Sequence, residues 1–190
     1  MCKYSIKKGS VYENVTFYHS ARVKDLGADI STDYFIIAMY LHSLSNRISN
    51  WGNSTYLSFT EDLAKGYMEP EGLYYLIEVS LSPELNYIEC TDERYKKGVG
   101  EEIPNMNEIL DTIGVDKIDM PLMKFLGQRG YAFECFHDDS GEKEMIVPFQ
   151  LINQLYITKV SIWENRKSEK NHVGDVKLET QYNSSLVGKE

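Results

Sequence analysis

The sequence predicts one soluble domain of the α+β class. Two patterns lead to this class: runs with strand character occur along most of the chain, and shorter runs with helical spacing lie between them. A chain of 190 residues, 42% of them hydrophobic, is long and apolar enough to bury a core. Its 14 tyrosines and 7 phenylalanines suit strands, because aromatic side chains pack well on a pleated surface.

The predicted strands are runs of β-branched and aromatic residues that stop at turn residues. The first of them ends at His19, and the fifth opens with a glutamate pair. Together they cover residues 11–18, 55–60, 73–81, 131–136, 142–147 and 155–163.

Apolar residues at helical spacing predict the helices. The longest follows the capping residues 31–33, and its apolar part, 34–44, is too short to span a bilayer. Thr60 is the predicted cap of a helix over 61–68. Two further helical patterns lie at 107–113 and 121–126.

The end of the chain is predicted to lie outside the folded domain. From residue 164 onward the sequence is polar and charge-balanced, with little that could be buried to offset the entropy of ordering. We therefore expect a domain over residues 1–163 and a flexible polar tail over residues 164–190.

Charge and cysteine usage restrict the partners. A formal net charge of -9 repels nucleic-acid backbones and anionic membranes, so neither is expected as the main partner. Cys2, Cys90 and Cys135 have no zinc-site spacing, so no metal is expected and the environment is predicted to be reducing.

The N-terminus lacks the apolar segment of a signal peptide. This predicts a cytoplasmic protein, or one secreted without a conventional signal into a host or target cell.

The pair Glu142 and Glu144 is the first candidate for chemistry. Side chains alternate along a strand, so both carboxylates are expected on one face, beside the apolar run 145–147. Two like charges at such a short distance raise one of the two pKa values, which suits acid–base catalysis. A solvated strand end beside a turn is the alternative interpretation of the same pair.

Three segments taken together resemble the mono-ADP-ribosyltransferase superfamily. Phe17–Ser20 ends an early strand, Tyr56–Thr60 ends a middle strand before a helix, and Glu142–Pro148 opens a late strand. Members of the superfamily carry Arg or His after an aromatic residue, then a Ser/Thr-rich or Tyr-bearing strand, then a catalytic Glu. The Glu-Lys-Glu run looks like the ExE motif of the arginine-modifying, cholera-toxin-like branch. The resemblance spans roughly residues 15–163.

The resemblance implies a split β-sandwich with flanking helices and a use of NAD as substrate. It also implies that Glu144 is the catalytic carboxylate below the sugar and that Glu142 activates or positions the acceptor. Ser58 would orient Glu144, and His19 would hydrogen-bond an NAD ribose. The residues expected to contact NAD are His19, Ser20, Tyr56, Ser58 and Thr60.

The first position departs from the arginine-modifying branch, because His19 stands where that branch has Arg. A His there, and Tyr56 as a stacking residue, are features of the diphtheria-toxin and poly-ADP-ribose polymerase branch. Arg22 is the alternative arginine, but it would lie on the opposite strand face from His19 if the strand continued.

The expected activity is transfer of ADP-ribose from NAD to a protein side chain, with arginine favoured, and the protein is expected to be a bacterial toxin or a secreted effector. Two alternatives stay open. One is an NAD glycohydrolase or a transferase to a non-protein acceptor on the same fold. The other is an inactive domain that binds a protein partner.

Overall fold

The computed structural model describes residues 4–23, 54–91, 96–97, 106–137, 141–167 and 169–178. Within them the protein is mixed α+β, with one large, mostly antiparallel sheet and few helices, so the predicted class is confirmed at that level. The long helix predicted after residues 31–33 lies outside the described residues.

The described strands form a single ten-stranded sheet. They are β1 (Tyr4–Lys8), β2 (Phe17–Arg22), β3 (Ser54–Ser58), β4 (Glu71–Leu81), β5 (Asn86–Cys90), β6 (Lys96–Lys97), β7 (Tyr131–His137), β8 (Lys143–Pro148), β9 (Leu155–Arg166) and β10 (Glu169–Asp175). Their order is β1-β5-β7-β8-β3-β2-β4-β9-β10, and β6 pairs with β7. The pairings of β7 with β5 and β6 are parallel, and the others are antiparallel.

The described α-helices are short. They are α1 (Glu61–Gly66), α2 (Met106–Thr112) and α3 (Leu122–Gln128), in agreement with three of the predicted helices. Two 3-10 helices, Gly9–Tyr12 and Phe149–Gln154, precede β2 and β9.

The sheet narrows to a weak junction between β2 and β3. One register pair, Tyr18 with Ser58, joins these strands, whereas β2 pairs with β4 along its whole length. We call β1, β5, β6, β7, β8 and β3 the first half of the sheet, and β2, β4, β9 and β10 the second half. Backbone groups past the single pair must find partners outside the ladder, because buried backbone polar groups are rarely left without one.

The main core covers one face of both halves. It takes buried side chains from seven of the described strands, such as Phe17, Leu57, Ile77, Met145 and Val160. The opposite face carries two smaller clusters. In one, α2 and α3 cover the first half. In the other, buried residues of α1 and β4 pack together on the second half.

The start of the chain differs from its predicted structure. Val11 and Tyr12 belong to a 3-10 helix, and Asn14 has a φ of 73°, so a turn replaces the first part of the predicted strand. β2 begins at Phe17 and continues to Arg22, which places His19 inside the strand and not at its end. Strands β1 and β5, which pair with each other, were not predicted.

The predicted tail also needs correction up to residue 178. β9 continues to Arg166, and β10 folds back on it as an antiparallel strand. The segment is mostly exposed, but Val176 donates a backbone hydrogen bond to Val160 at 2.9 Å, and Val176 and Leu178 pack on the main core. Pairing with β9 thus orders β10, although the polar side chains of β10 are mostly exposed. Residues 179–190 lie outside the described part of the chain.

No helix in the described ranges is both long and apolar enough to cross a membrane.

Candidate active site

Glu144 is fully buried near the start of β8. Its ladder partners are Ser58 on β3 and Cys135 on β7, both buried. Directly paired residues of antiparallel strands point to the same face, so Ser58 and Glu144 lie side by side. A buried carboxylate is costly unless hydrogen bonds replace its water.

Tyr67 supplies such a bond. Its hydroxyl donates to Glu144 Oε1 at 2.6 Å, a distance typical of a hydroxyl bound to a charged carboxylate. Tyr67 lies directly after α1, and half of its surface is exposed (50%). The tyrosine therefore covers the carboxylate from the solvent side while binding it.

Glu142 lies just before β8 and contacts Thr60. The Thr60 hydroxyl donates to Glu142 Oε1 at 3.0 Å and accepts from the backbone N–H of Leu63 at 3.2 Å. The second bond is the helix cap that the sequence predicts for Thr60, and it is confirmed. Glu142 thus contacts the residue before α1, and Glu144 contacts the residue after it.

Lys143, between the two glutamates, points to the other face. It pairs with Glu134 of β7, which is fully buried and also accepts a hydrogen bond from the Tyr12 hydroxyl. Lys143 also approaches Glu89 at 3.9 Å. This anchoring agrees with the predicted alternation along 142–144, because it holds the middle side chain away from the two carboxylates.

Tyr56 is the residue of β3 two positions before Ser58 and lies on the same face. Its ring packs against the apolar cluster under α2 and α3. Burial raises the pKa of the Tyr56 hydroxyl well above its usual value, and the negative charge of Glu144 raises it further. The Tyr56 hydroxyl is neutral at physiological pH, and it lies close enough to Glu144 for the charge of the carboxylate to affect its pKa.

His19 and Ser20 point to opposite faces of β2. The Nδ1 atom of His19 lies 2.8 Å from the backbone oxygen of Tyr56. Because a carbonyl only accepts, Nδ1 carries the proton, and Nε2 of the neutral ring is an acceptor. The ring thus supplies a partner for a β3 carbonyl where the β2–β3 ladder has stopped. Ser20, also buried, shares its face with Tyr18.

Arg22 lies on the face opposite His19, as expected for a strand that continues. Its guanidinium forms an ion pair with Glu69 and donates to the Tyr74 hydroxyl at 3.1 Å. Arg22 therefore binds the segment that follows α1, and its guanidinium is engaged there.

The structure brings most of the predicted residues together. Glu144, Ser58 and Tyr56 share one face of the first half, and Glu142 meets Thr60 at the start of α1. His19 is at the neighbouring junction but on the core face of β2, between the buried residues Phe17 and Ala21.

Sequence reasoning missed Tyr67, because a tyrosine after a short helix resembles many surface tyrosines. The signal that could have found it is its position one residue beyond a helix whose cap, Thr60, already belonged to the candidate motif.

Comparison with protein-family models finds no match for the chain, and no curated protein matches it either. Within the described part of the chain, no cluster of three or more His, Cys, Asp or Glu side chains is placed to hold a metal ion.

Proposed function

We propose that the protein is an NAD-dependent mono-ADP-ribosyltransferase that modifies a protein side chain, with arginine as the favoured acceptor. The observation that carries the proposal is the surroundings of Glu144. A fully buried carboxylate lies beside Ser58, accepts a hydrogen bond from a half-exposed tyrosine, and has Glu142 two positions before it. Glu144, Glu142 and Ser58 are residues that the resemblance to the superfamily implies for this site, and the Tyr67 hydrogen bond is an additional support from the structure.

Glu144 is proposed to serve the sugar of NAD. Cleaving the nicotinamide–ribose bond develops positive charge on the ribose, as in glycoside hydrolysis. A carboxylate held in a site of low dielectric stabilises such charge more strongly than one in water. The Tyr67 hydrogen bond supports this role, because it restricts the orientation of the carboxylate, and Ser58 is paired beside Glu144 on the same face.

Glu142 is proposed to act on the acceptor. It lies directly before β8, outside the strand, and its side chain is partly exposed. The Thr60 hydroxyl holds its Oε1 atom, so the other oxygen has a restricted direction. A fixed carboxylate can position a guanidinium or accept its proton.

The described strands form one sheet, which narrows between β2 and β3. The resemblance implies a split β-sandwich, and the single register pair between β2 and β3 is the place where such a split would lie. His19, at that junction, is proposed to meet an NAD ribose through Nε2. Because the side chains of His19 and Glu144 lie on opposite faces of the sheet, contact of one NAD molecule with both would require the β2–β3 junction to open.

The test is incubation of the protein with NAD labelled on its adenylate part and with a whole-cell lysate, followed by gel separation. A discrete labelled band that is absent with Glu144→Gln supports transfer to a protein. Release of nicotinamide in buffer alone, without a labelled band, identifies an NAD glycohydrolase instead. Unchanged NAD under both conditions, with the protein folded, contradicts the proposed activity and favours a binding domain.

A further inference from the structure

We propose that Asn165 is a positioning residue for the Glu144 site and acts through the loop that carries Tyr67. This inference rests on the proposed function where it concerns catalysis. The loop, residues 67–70, joins α1 to β4 and is called the 67–70 loop below. Asn165 lies on β9, in the other half of the sheet from Glu144.

Asn165 is 2% exposed, and its amide is directed at the 67–70 loop. Its Nδ2 atom donates to the backbone oxygen of Glu69 at 2.7 Å and to that of Met68 at 3.3 Å. Since carbonyl oxygens only accept, the NH₂ side of the amide must face the loop. The Oδ1 atom has no hydrogen-bond partner within the described ranges. Both hydrogen bonds of the Asn165 side chain are therefore donated by Nδ2 to the carbonyls of two consecutive loop residues.

Other side chains of the second half hold the same loop. Arg22 of β2 pairs with the Glu69 carboxylate, and the Tyr74 hydroxyl donates to the Glu69 backbone oxygen at 3.4 Å. Lys65 at the end of α1 lies 3.3 Å from the ring centre of Trp163, which shares its face of β9 with Asn165. The loop and the end of α1 are thus fixed to the second half by contacts on both sides of Tyr67.

Tyr67 then connects this anchored loop to the first half. Its hydroxyl bond to Glu144 crosses the place where one register pair joins the two halves. The direction of the Glu144 carboxylate consequently depends on where the second half holds the loop. The hydrogen bonds of Asn165 go to the 67–70 loop and not to Glu144, so Asn165 acts on the site through the position of Tyr67.

The variant that tests this is Asn165→Asp, which keeps the shape of the side chain and replaces the donor by an acceptor facing two carbonyls. Asn171→Asp, an exposed asparagine of the neighbouring strand β10, is the matched control. If Asn165→Asp does not fold, Asn165→Ser, which keeps one hydroxyl donor, takes its place.

Two readouts do not depend on activity. Amide hydrogen exchange in peptides covering residues 67–70 is expected to become faster with Asn165→Asp and not with Asn171→Asp. The chemical shift of the Glu144 carboxyl carbon, measured by NMR, is expected to move to the value found in Tyr67→Phe. An unchanged shift overturns the inference even if NAD turnover is never observed.

The kinetic readout separates positioning from general destabilisation. Misplacement of a catalytic group lowers turnover more than binding, so kcat for NAD cleavage should fall about tenfold while KM for NAD changes less than about twofold. The double variant Tyr67→Phe/Asn165→Asp should lose no more than Tyr67→Phe alone, because both act through one hydrogen bond. Independent, additive losses, or a kcat equal to that of the wild type, contradict the inference while leaving the proposed function intact.

Discussion

At the scale of single residues, the environment of Glu144 differs from that of an ordinary strand glutamate. Glu144 is fully buried, is paired with Ser58 and Cys135 on the neighbouring strands, and its carboxylate accepts a hydrogen bond from Tyr67. The sequence pattern predicted the pairing of Glu142 and Glu144 on one face, because strand alternation needs only local spacing. It could not predict Tyr67, because that contact depends on how α1 is held over the sheet.

Replacing Glu144 by Gln is expected to abolish NAD turnover and to leave the fold intact. The amide is nearly isosteric and can still accept the Tyr67 hydrogen bond, but it removes the charge that the developing cation needs. Losses of about 10²–10³-fold accompany the removal of one such electrostatic group. Nicotinamide release measures the rate, and thermal unfolding checks the fold. Glu84→Gln, at an exposed glutamate, is the control, and undiminished turnover in folded Glu144→Gln would contradict the assignment.

Glu142→Gln should differ in kind from Glu144→Gln. It is expected to lose labelling of protein while keeping part of the NAD hydrolysis, because water needs less exact positioning than a bulky acceptor. Labelled protein and free nicotinamide are measured in parallel. Thr60→Val, which removes the hydroxyl that holds Glu142, should weaken protein labelling in the same direction. Full labelling with Glu142→Gln would make this residue a bystander and remove the reason for favouring arginine.

His19→Ala is expected to raise KM for NAD about 2–10-fold, the range that corresponds to one hydrogen bond. The alanine also removes the bond to the Tyr56 carbonyl, so a second variant separates the two effects. In His19→Asn the amide nitrogen can take the place of Nδ1, while Nε2 is lost. A normal NAD affinity of His19→Asn by calorimetry would leave His19 with a structural role only.

At the scale of elements, local signals succeeded where they were strong. The Thr60 cap and the helical patterns at 107–113 and 121–126 were predicted from sequence and are present in the structure. The predicted start of β2 was wrong, because a run of β-branched residues was interpreted as a strand although the chain turns at Asn14. The strand β10 was missed for a different reason. Its residues are polar and mostly exposed, and it is ordered by pairing with β9, which no composition reveals.

The hairpin of β9 and β10 is expected to contribute to stability. A chain ending at Lys167 loses the β10 pairing and the core contacts of Val176 and Leu178. Partial burial of two aliphatic side chains corresponds to about 2 kcal/mol of unfolding free energy, so the melting temperature should fall by several degrees. A chain ending at Leu178 keeps these contacts and should melt at a higher temperature than the chain ending at Lys167. Equal melting temperatures of the two truncated chains would show that the hairpin is dispensable.

At the scale of the whole molecule, the α+β class could be predicted because it depends on periodicity and composition. The sheet order could not, since it depends on which distant strands pair. The same limit applies to the site. Two of the three predicted segments, those on β3 and β8, converge beside α1, but His19 of the third segment points to the core face of β2. Nothing in the sequence shows that β2 and β3 share only one register pair, and that junction determines what His19 can reach.

Because of its buried tyrosines, the protein is expected to lose stability as the pH becomes alkaline. Burial raises the pKa of Tyr87 to about 12, and it also raises the pKa values of Tyr12 and Tyr56. In the unfolded chain a tyrosine titrates near pH 10. Below about pH 10 both states keep the proton, and the contribution of Tyr87 is fully present. Above it the unfolded chain releases a proton that the folded chain retains, so the free energy of unfolding falls.

The fall should continue for Tyr87 until the pH reaches about 12, where the folded chain releases its proton too. Each retained proton adds a slope of about 1.4 kcal/mol per pH unit. Urea unfolding followed by fluorescence at several pH values between 9 and 11.5 measures the slope for the wild type and for Tyr87→Phe. The variant lacks one of the retained protons, so its slope should be shallower by about one proton, whatever its stability at neutral pH. Parallel curves would mean that Tyr87 ionises equally in both states, and its burial would then have no part in the alkaline loss.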